Sequence, residues 1–168
     1  SGREAAAAVM AATDQGFGNI NLDLMFGLPG QSTEEAERDI RRALEFTPTQ
    51  VSYYQLTLEP NTAFFSNPPS LPSDDHLWDF QVAGQRRLEA AGYIQYEVSA
   101  FARRGFECRH NLNYWSFGDY IGIGAGAHGK LTDKSGRVRR RRRVRSPDRY
   151  LAQAGSAGVI AGESMPDE

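Results

Sequence analysis

The sequence has a single cysteine, Cys108, and two lysines, Lys130 and Lys134, among its 168 residues. One cysteine excludes a disulfide within the chain and any metal site built from several of its own cysteines. The sequence also has no apolar run near the roughly 20 residues that a membrane-spanning helix needs, and its first residues are not typical of a signal peptide. We therefore expect a cytoplasmic protein with one hydrophobic core of ordinary size.

Positive charge is concentrated in one segment. Residues 130–149 contain ten basic and two acidic residues, a net charge of +8, whereas the rest of the chain carries −10. Such a segment can bind nucleic acid or an acidic membrane surface. In a strand, however, alternate arginines of the run at 139–143 point to opposite faces, and no aromatic residues are interleaved for base stacking. We expect no nucleic-acid binding and interpret the run as a solvated or domain-bridging edge strand.

Helix and strand patterns alternate along the first hundred residues. Strands separated by helices indicate βαβ units and a parallel sheet. After residue 101 we expect a hairpin with its turn at 133–136, a short helix at 147–154 and a poorly ordered tail from Gly155. The earlier predicted helices cover 3–15, 33–46 and 74–91, and the predicted strands cover 19–26, 50–58 and 94–101.

Each predicted strand alternates between apolar and polar residues. Strands covered by helices on both faces are apolar nearly throughout, so the alternation favours a barrel wall with helices outside and a ligand inside. On this interpretation Asp23, Gln55 and Glu97 project into one enclosed space, with Tyr54 among the apolar residues on the outer side. A one-sided sheet with a solvated face is the alternative.

Asp23 is the first candidate binding residue. It lies on the polar side of its strand, shortly before the turn Gly27–Gly30. A carboxylate at such a strand end can accept hydrogen bonds from vicinal hydroxyls such as those of a ribose. In the alternative interpretation, Asp23 caps the following turn or pairs with an arginine. The turn itself lacks the Lys-Ser/Thr of a phosphate loop, so we interpret it as structural.

The segment Cys108–Trp115 is the second candidate site. Imidazole or thiolate can supply an axial ligand to heme iron, and aromatic rings such as Tyr114 and Trp115 can cover an apolar macrocycle. The alternative for His110 is a hydrogen-bonded structural histidine. The glycines at 122, 124 and 126 do not fit a dinucleotide pattern, and packing is their favoured use.

Several segments of the sequence together resemble one protein family. They are NINLDLMFGLPGQ, SYYQLTLEPNT, GYIQYEVSAFA and HNLNYWSFGDYIGIGAGAHGKL. These segments resemble the oxygen-independent coproporphyrinogen III oxidase-like family of radical S-adenosylmethionine (SAM) proteins, and the resemblance covers about residues 1–153. HNLNYW resembles the HNxxYW signature that separates HemW-like heme chaperones from coproporphyrinogen III dehydrogenases proper.

The resemblance implies an α/β fold: the later part of a partial (β/α)6 TIM-like radical SAM barrel over residues 1–130, then the start of a C-terminal domain over 131–168. It implies a protein that in intact form binds a 4Fe–4S cluster, SAM and heme, and transfers heme to acceptor proteins through which it can associate with membranes. An oxygen-independent coproporphyrinogen III oxidase is the alternative, against which HNLNYW speaks.

The resemblance also implies roles for single residues, none of them catalytic. Asp23 corresponds to the aspartate that holds the SAM ribose, and Met25 and Thr57 to positions near SAM. His110, Asn111, Tyr114 and Trp115 fall on the motif implicated in heme binding, with His110 as the candidate iron ligand. The family's C-x-x-x-C-x-x-C motif does not occur in this sequence. We therefore expect a portion of a longer protein that cannot by itself assemble a cluster or cleave SAM.

Overall fold

The computed structural model describes residues 1–164. The chain divides into two compact units, one from Ser1 to Cys108 and one that begins at Arg109. The predicted domain boundary between residues 130 and 131 stays a prediction, because compactness within this chain is a different criterion from the domain limits of a family.

The first unit alternates helices and strands in the predicted order. The predicted helices and the first two predicted strands are confirmed to within a few residues, and one short helix in the proline-rich stretch was not predicted. The helices are α1 (Gly2–Asp14), α2 (Thr33–Leu44), α3 (Ala63–Ser66) and α4 (Asp74–Ala90), and the strands are β1 (Asn21–Phe26), β2 (Gln50–Gln55), β3 (Ile94–Glu97) and β4 (Ala100–Ala102).

Serine caps determine where the two long helices over the sheet begin. The Glu35 amide donates to Ser32 Oγ over 3.2 Å, and the Ser32 amide donates to the Glu35 carboxylate over 3.0 Å. This is the capping box that the sequence predicts, and it satisfies two amides that α2 itself leaves unpaired. Ser73 caps α4 in the same manner by accepting from the amide of His76.

The sheet of the first unit has the strand order β1-β2-β4-β3. β1 and β2 are parallel, as predicted, but β4 is antiparallel both to β2 and to β3. The prediction of one parallel strand over 94–101 is therefore wrong. The chain reverses at Val98 and Ser99, where Gln95 Nε2 donates to the Val98 carbonyl over 2.9 Å, and the buried Ala100–Ala102 segment takes the position beside β2.

One face of the sheet packs against helices. Phe26 stacks on Tyr53 with ring centroids 4.5 Å apart, and the Tyr53 hydroxyl donates to the Phe80 carbonyl of α4 over 3.0 Å. Because Gln55 pairs with Phe26, Gln55 belongs to this helix-covered face, while Tyr54 pairs with Met25 on the other. The predicted assignment of faces for β2 is thus wrong, since Tyr53 buries its ring and still satisfies its hydroxyl. The core comprises Phe26, Ala36, Ile40, Val51, Tyr53, Leu77, Phe80, Leu88, Tyr93 and Phe101.

The second unit contains a three-stranded antiparallel sheet with the order β5-β6-β7. The predicted hairpin and the helix that begins at Pro147 are confirmed. The prediction of a poorly ordered tail is wrong for residues 155–164, because β7 pairs with β6; residues 165–168 lie outside the described residues. The elements are α5 (Arg109–Trp115), β5 (His128–Thr132), β6 (Val138–Arg143), α6 (Pro147–Ala152), a 3₁₀ turn (Ala157–Val159) and β7 (Ile160–Ser164).

Within residues 1–164, no helix has both the length and the apolar character that crossing a bilayer requires.

Candidate functional site

Asp23 lies on the exposed face of β1, opposite the helix-covered face. It is the third residue of the strand, and Asn21 and Met25 on the same face are also exposed. Asn21 Nδ2 donates to Asp23 Oδ1 over 2.7 Å and to Ser52 Oγ over 2.9 Å. This amide bridge fixes the rotamer of the carboxylate and leaves its second oxygen, Oδ2, available to accept hydrogen bonds from a ligand.

The other two residues predicted near SAM occupy different settings. Met25 shares the exposed face with Asp23 and is 36 % exposed. Thr57 lies two residues beyond the end of β2, where its hydroxyl donates to Glu59 over 2.9 Å. Because β1 and β2 are parallel, their carboxyl ends meet at one edge of the sheet, the edge at which ligands of α/β proteins bind. Thr57 therefore belongs to the loop at that edge rather than to the face of the sheet.

The residues that the structure describes, 1–164, do not form the enclosed space predicted around Asp23, Gln55 and Glu97. Gln55 lies on the opposite face, because it pairs with Phe26 on the helix-covered side of the sheet. Asp23 and Glu97, in contrast, lie in one row of paired positions that runs through Ser52 and Ala100. A register shift between Gln95 and Glu97 interrupts the strand next to Glu97. The face of the sheet that carries Asp23 is open to solvent at Asp23.

The turn after β1 is structural, as the sequence predicts. Gln31 Oε1 accepts hydrogen bonds from the amides of Gly27 and Leu28 over 2.9 and 3.2 Å. A side chain at Gly27, where φ is +75°, would place its Cβ 2.5 Å from Leu77. The glycine permits both the backbone conformation and the close contact with α4.

The HNLNYW motif forms most of α5, a helix whose residues are largely exposed. His110 is exposed, and its neighbour four residues on, Tyr114, lies on the same side of the helix. Tyr114 is 60 % and Trp115 61 % exposed, and Leu112 is 40 % exposed. Several exposed apolar side chains on one short helix make this helix a candidate binding surface. An imidazole on the same helix as exposed aromatic side chains suits a flat apolar ligand with a metal at its centre.

Lys130 is a functional candidate that the sequence did not reveal. It is only 2 % exposed, and its Nζ donates to the Phe117 carbonyl over 2.6 Å and to Asp119 Oδ1 over 3.1 Å. The Asp119 carbonyl in turn accepts from Asn113 Nδ2 of α5 over 3.0 Å. This chain of bonds anchors the helix that carries His110. The signal in the sequence was the rarity of lysine in a segment that otherwise uses arginine.

Hydrogen bonds also set the charge of Asp119. The backbone amide and the hydroxyl of Thr132 donate to its carboxylate over 2.7 and 2.8 Å. Together with Lys130 they hold the pKa of Asp119 below its usual range, because each donor stabilises the ionised form. Asp119 is therefore a permanent anion at neutral pH and keeps the ammonium of Lys130 paired.

The glycine-rich stretch agrees with its structural interpretation, but the arginine run does not. The run forms β6, which lies between β5 and β7, so the prediction of an edge strand is wrong. A Cβ at Gly122 would lie 2.0 Å from the His128 carbonyl, so this glycine serves close packing of backbones. Arg139 of β6 pairs with Leu131 of β5, and Arg140 pairs with Lys130. Successive arginines therefore alternate between the two faces of the sheet. Among the described residues, no group of three or more His, Cys, Asp or Glu side chains is arranged to hold a metal ion.

Comparison with known proteins identifies relatives over most of the chain. It is 55% identical over 149 residues to a protein named heme chaperone HemW from Escherichia coli, with 89% of this chain and 39% of the relative covered. A protein of the same name from Haemophilus influenzae is 54% identical over 148 residues, covering 88% of this chain and 39% of the relative. One from Mycobacterium tuberculosis is 38% identical over 166 residues, covering 96% and 40%. No family model matches the sequence.

A solved structure shares the fold. Coproporphyrinogen III oxidase (HemN) from Escherichia coli, described as a radical SAM enzyme, superposes with a TM-score of 0.73 at 20% sequence identity, over 94% of this chain and 39% of that chain. The chain thus has the fold of a radical SAM coproporphyrinogen oxidase. By its sequence it belongs to the HemW-like family. The chain spans about two fifths of the length of the curated relatives it matches.

Proposed function

We propose that this chain is part of a protein that, in intact form, acts as HemW-like heme chaperones do, with heme bound at α5, SAM bound at the exposed face of β1, and heme passed to acceptor proteins in the cytoplasm. The observation that carries the proposal is the exposure of the imidazole and aromatic side chains of α5, in a chain 55% identical to a protein named heme chaperone HemW. The coproporphyrinogen III oxidase alternative has the fold likeness to HemN in its favour, and a fold by itself does not define a reaction.

The barrel part of the proposal rests on β1, α2, β2 and α4. Two parallel strands with helices on one face and exposed polar residues on the other suit the wall of a (β/α)6 barrel. The antiparallel β4 departs from that repeat and limits the barrel wall to the strands before it. The SAM site accordingly rests on Asp23 and the strand-end loop with Thr57, without Gln55.

The residues of α5 fit heme by their chemistry. A neutral imidazole at His110 can coordinate the iron, and Tyr114 and Trp115 can cover the macrocycle. Asn111, whose side chain is partly buried, belongs to the same motif and contributes a donor and an acceptor. Bound heme supplies an iron atom open to an axial ligand. The chain's own residues hold that ligand in place through the Asn113, Asp119 and Lys130 bonds.

Titration of the chain with hemin, followed by Soret absorbance, tests the heme site. We expect His110→Ala to lose most of the Soret shift, because it removes the axial ligand. His76→Ala is the matched control, since His76 is also an exposed histidine but lies at the start of α4. An unchanged Soret shift in His110→Ala, or an equal loss in both variants, would remove His110 from the site.

Equilibrium dialysis with SAM tests the second site. Loss of a hydrogen-bonded carboxylate costs about 1.5–3 kcal/mol, so we expect Asp23→Ala to weaken SAM binding by roughly 10- to 100-fold. Asp14→Ala removes an exposed carboxylate at the end of α1 and serves as the control. The family's 4Fe–4S cluster, whose ligands lie outside these residues, supplies one-electron chemistry when bound. Equal SAM affinities for the two variants would contradict the role of Asp23.

A further inference from the structure

The sheet of the second unit has a hollow of about 400 Å³ that no candidate site so far includes. Its walls are largely apolar, and its size is within the range of small-molecule sites. The residues that line it include Gly129, Ile121 and Leu131. Three arginines of β6 also line it, namely Arg139, Arg141 and Arg143. None of the residues of α5 lines it.

Strand alternation places the arginines of the hollow together. Arg139, Arg141 and Arg143 are two residues apart in β6, so their side chains leave the same face of the sheet. Arg139 pairs with Leu131 and Arg141 pairs with Gly129, which has no side chain to fill the space. Three guanidinium groups are thus aligned along one wall. Arg142, between them in sequence, leaves the opposite face.

The three arginines differ in how far their charges are already satisfied. Arg141 Nε donates to the Glu163 carboxylate over 3.2 Å, and Arg143 Nε donates to the Gly122 carbonyl over 3.3 Å. Among the described residues no acceptor contacts Arg139, which is exposed. Asp133 also lines the hollow, and its carboxylate is paired with Arg137. The three guanidinium groups outnumber the carboxylates of Asp133 and Glu163, so the hollow carries a net positive charge, with one guanidinium fork open to a ligand carboxylate.

The apolar walls restrict the ligand further. Ile121 is 73% and Leu131 44% exposed, so both present aliphatic surface that a ligand can cover. A ligand that suits both the positive charge and the apolar walls has a flat or compact apolar body with carboxylates at one edge. A phosphate backbone offers charge without the apolar body, and a bilayer surface is flat whereas the site is concave.

We propose that this hollow, which we call the Arg139 pocket, binds the carboxylate-bearing edge of a tetrapyrrole, with one propionate paired to Arg139. The inference rests on the proposed heme function for its ligand and adds a contact that His110 does not provide. His110 addresses the metal of the ligand, whereas the Arg139 pocket addresses its carboxylates. Loss of His110 should therefore change the Soret band, whereas loss of the Arg139 pocket should change the preference for a ligand with charged carboxylates.

Competitive titration with hemin and hemin dimethyl ester separates these signatures, because the ester lacks charged carboxylates. We expect the chain to bind hemin about tenfold more tightly than the ester, the value of one charge-assisted hydrogen-bonded pair. Arg139→Gln should lose most of this preference while keeping the position of the Soret band. Arg142→Gln removes the same charge from the opposite face of the same strand and should keep the preference.

The outcomes distinguish this inference from the proposed function. If the chain binds hemin and Arg139→Gln retains the full preference, the Arg139 pocket is wrong and the heme function stands. If Arg139→Gln and Arg142→Gln lose the preference equally, general charge attraction replaces the pocket. If the chain gives no Soret shift with hemin at all, both proposals fail.

Discussion

Different forces stabilise the interior of each of the two compact units of this chain. Residues 1–108 contain a cluster of ten buried residues dominated by aromatic and aliphatic side chains. In the described part of the second unit the buried residues are Lys130, Val144 and Val159. Apolar packing thus organises the first unit, whereas hydrogen bonds and paired charges organise much of the second. The comparison teaches that a region can leave its aromatic side chains at the surface when polar bonds hold its backbone.

Removal of a core aromatic should have the largest effect, and in the first unit. Phe101 is fully buried, so Phe101→Ala should lower the free energy of unfolding by about 3–5 kcal/mol through lost burial and a cavity. Phe106→Ala is the control, because Phe106 is 41% exposed. Urea unfolding and amide hydrogen exchange of residues 1–108 measure the difference. Similar costs for the two variants would mean that apolar packing does not dominate this unit.

An intermediate effect is expected from the buried lysine of the second unit. Lys130→Ala removes the donor to the Phe117 carbonyl and the Asp119 carboxylate and leaves both partly buried acceptors without it, which should cost about 2–3 kcal/mol. The cost stays below that of breaking a fully buried pair because the Asp119 side chain is 38% exposed. Lys134→Ala, at the exposed hairpin turn, is the matched control.

Amide exchange of β5 after each lysine substitution is the measurement. Loss of protection in Lys130→Ala but not in Lys134→Ala would support a polar anchor for this unit. Equal protection in both variants would show that the second unit is held by something other than this lysine, and would weaken the contrast with the first unit.

The smallest effect concerns the turn between β5 and β6. The Ser135 hydroxyl and the Arg137 amide are among the donors to the Asp133 carboxylate, and they lower its pKa to about 2. Because the folded pKa lies below the unfolded value of about 3.9, the turn is stabilised above that value. The stabilisation is lost as the pH falls through about 2. Carboxyl carbon NMR should show this low midpoint, and Ser135→Ala should raise it. A midpoint that Ser135→Ala leaves unchanged would contradict the assigned cause.

The local features of the fold followed from the sequence, and so did its family. The helix starts at Ser32 and Ser73 and the hairpin around Asp133 depend on neighbours close in the chain. The parallel pairing of β1 with β2 follows from the helix pattern between them, because a strand–helix–strand unit favours parallel strands. Patterns of this range can be recognised without a structure. The relation to HemW-like proteins was likewise carried by contiguous motifs, and the relatives confirm it.

The sequence by itself determined where the elements lie, because capping and periodicity act over a few residues. Only the tertiary structure decided which face each strand presents. Tyr53 and Tyr54 are chemically identical, and the stacking of Tyr53 on Phe26 selects the one that enters the core. The same holds for the antiparallel β4 and for the burial of Lys130, since both depend on partners distant in the chain that no local pattern encodes.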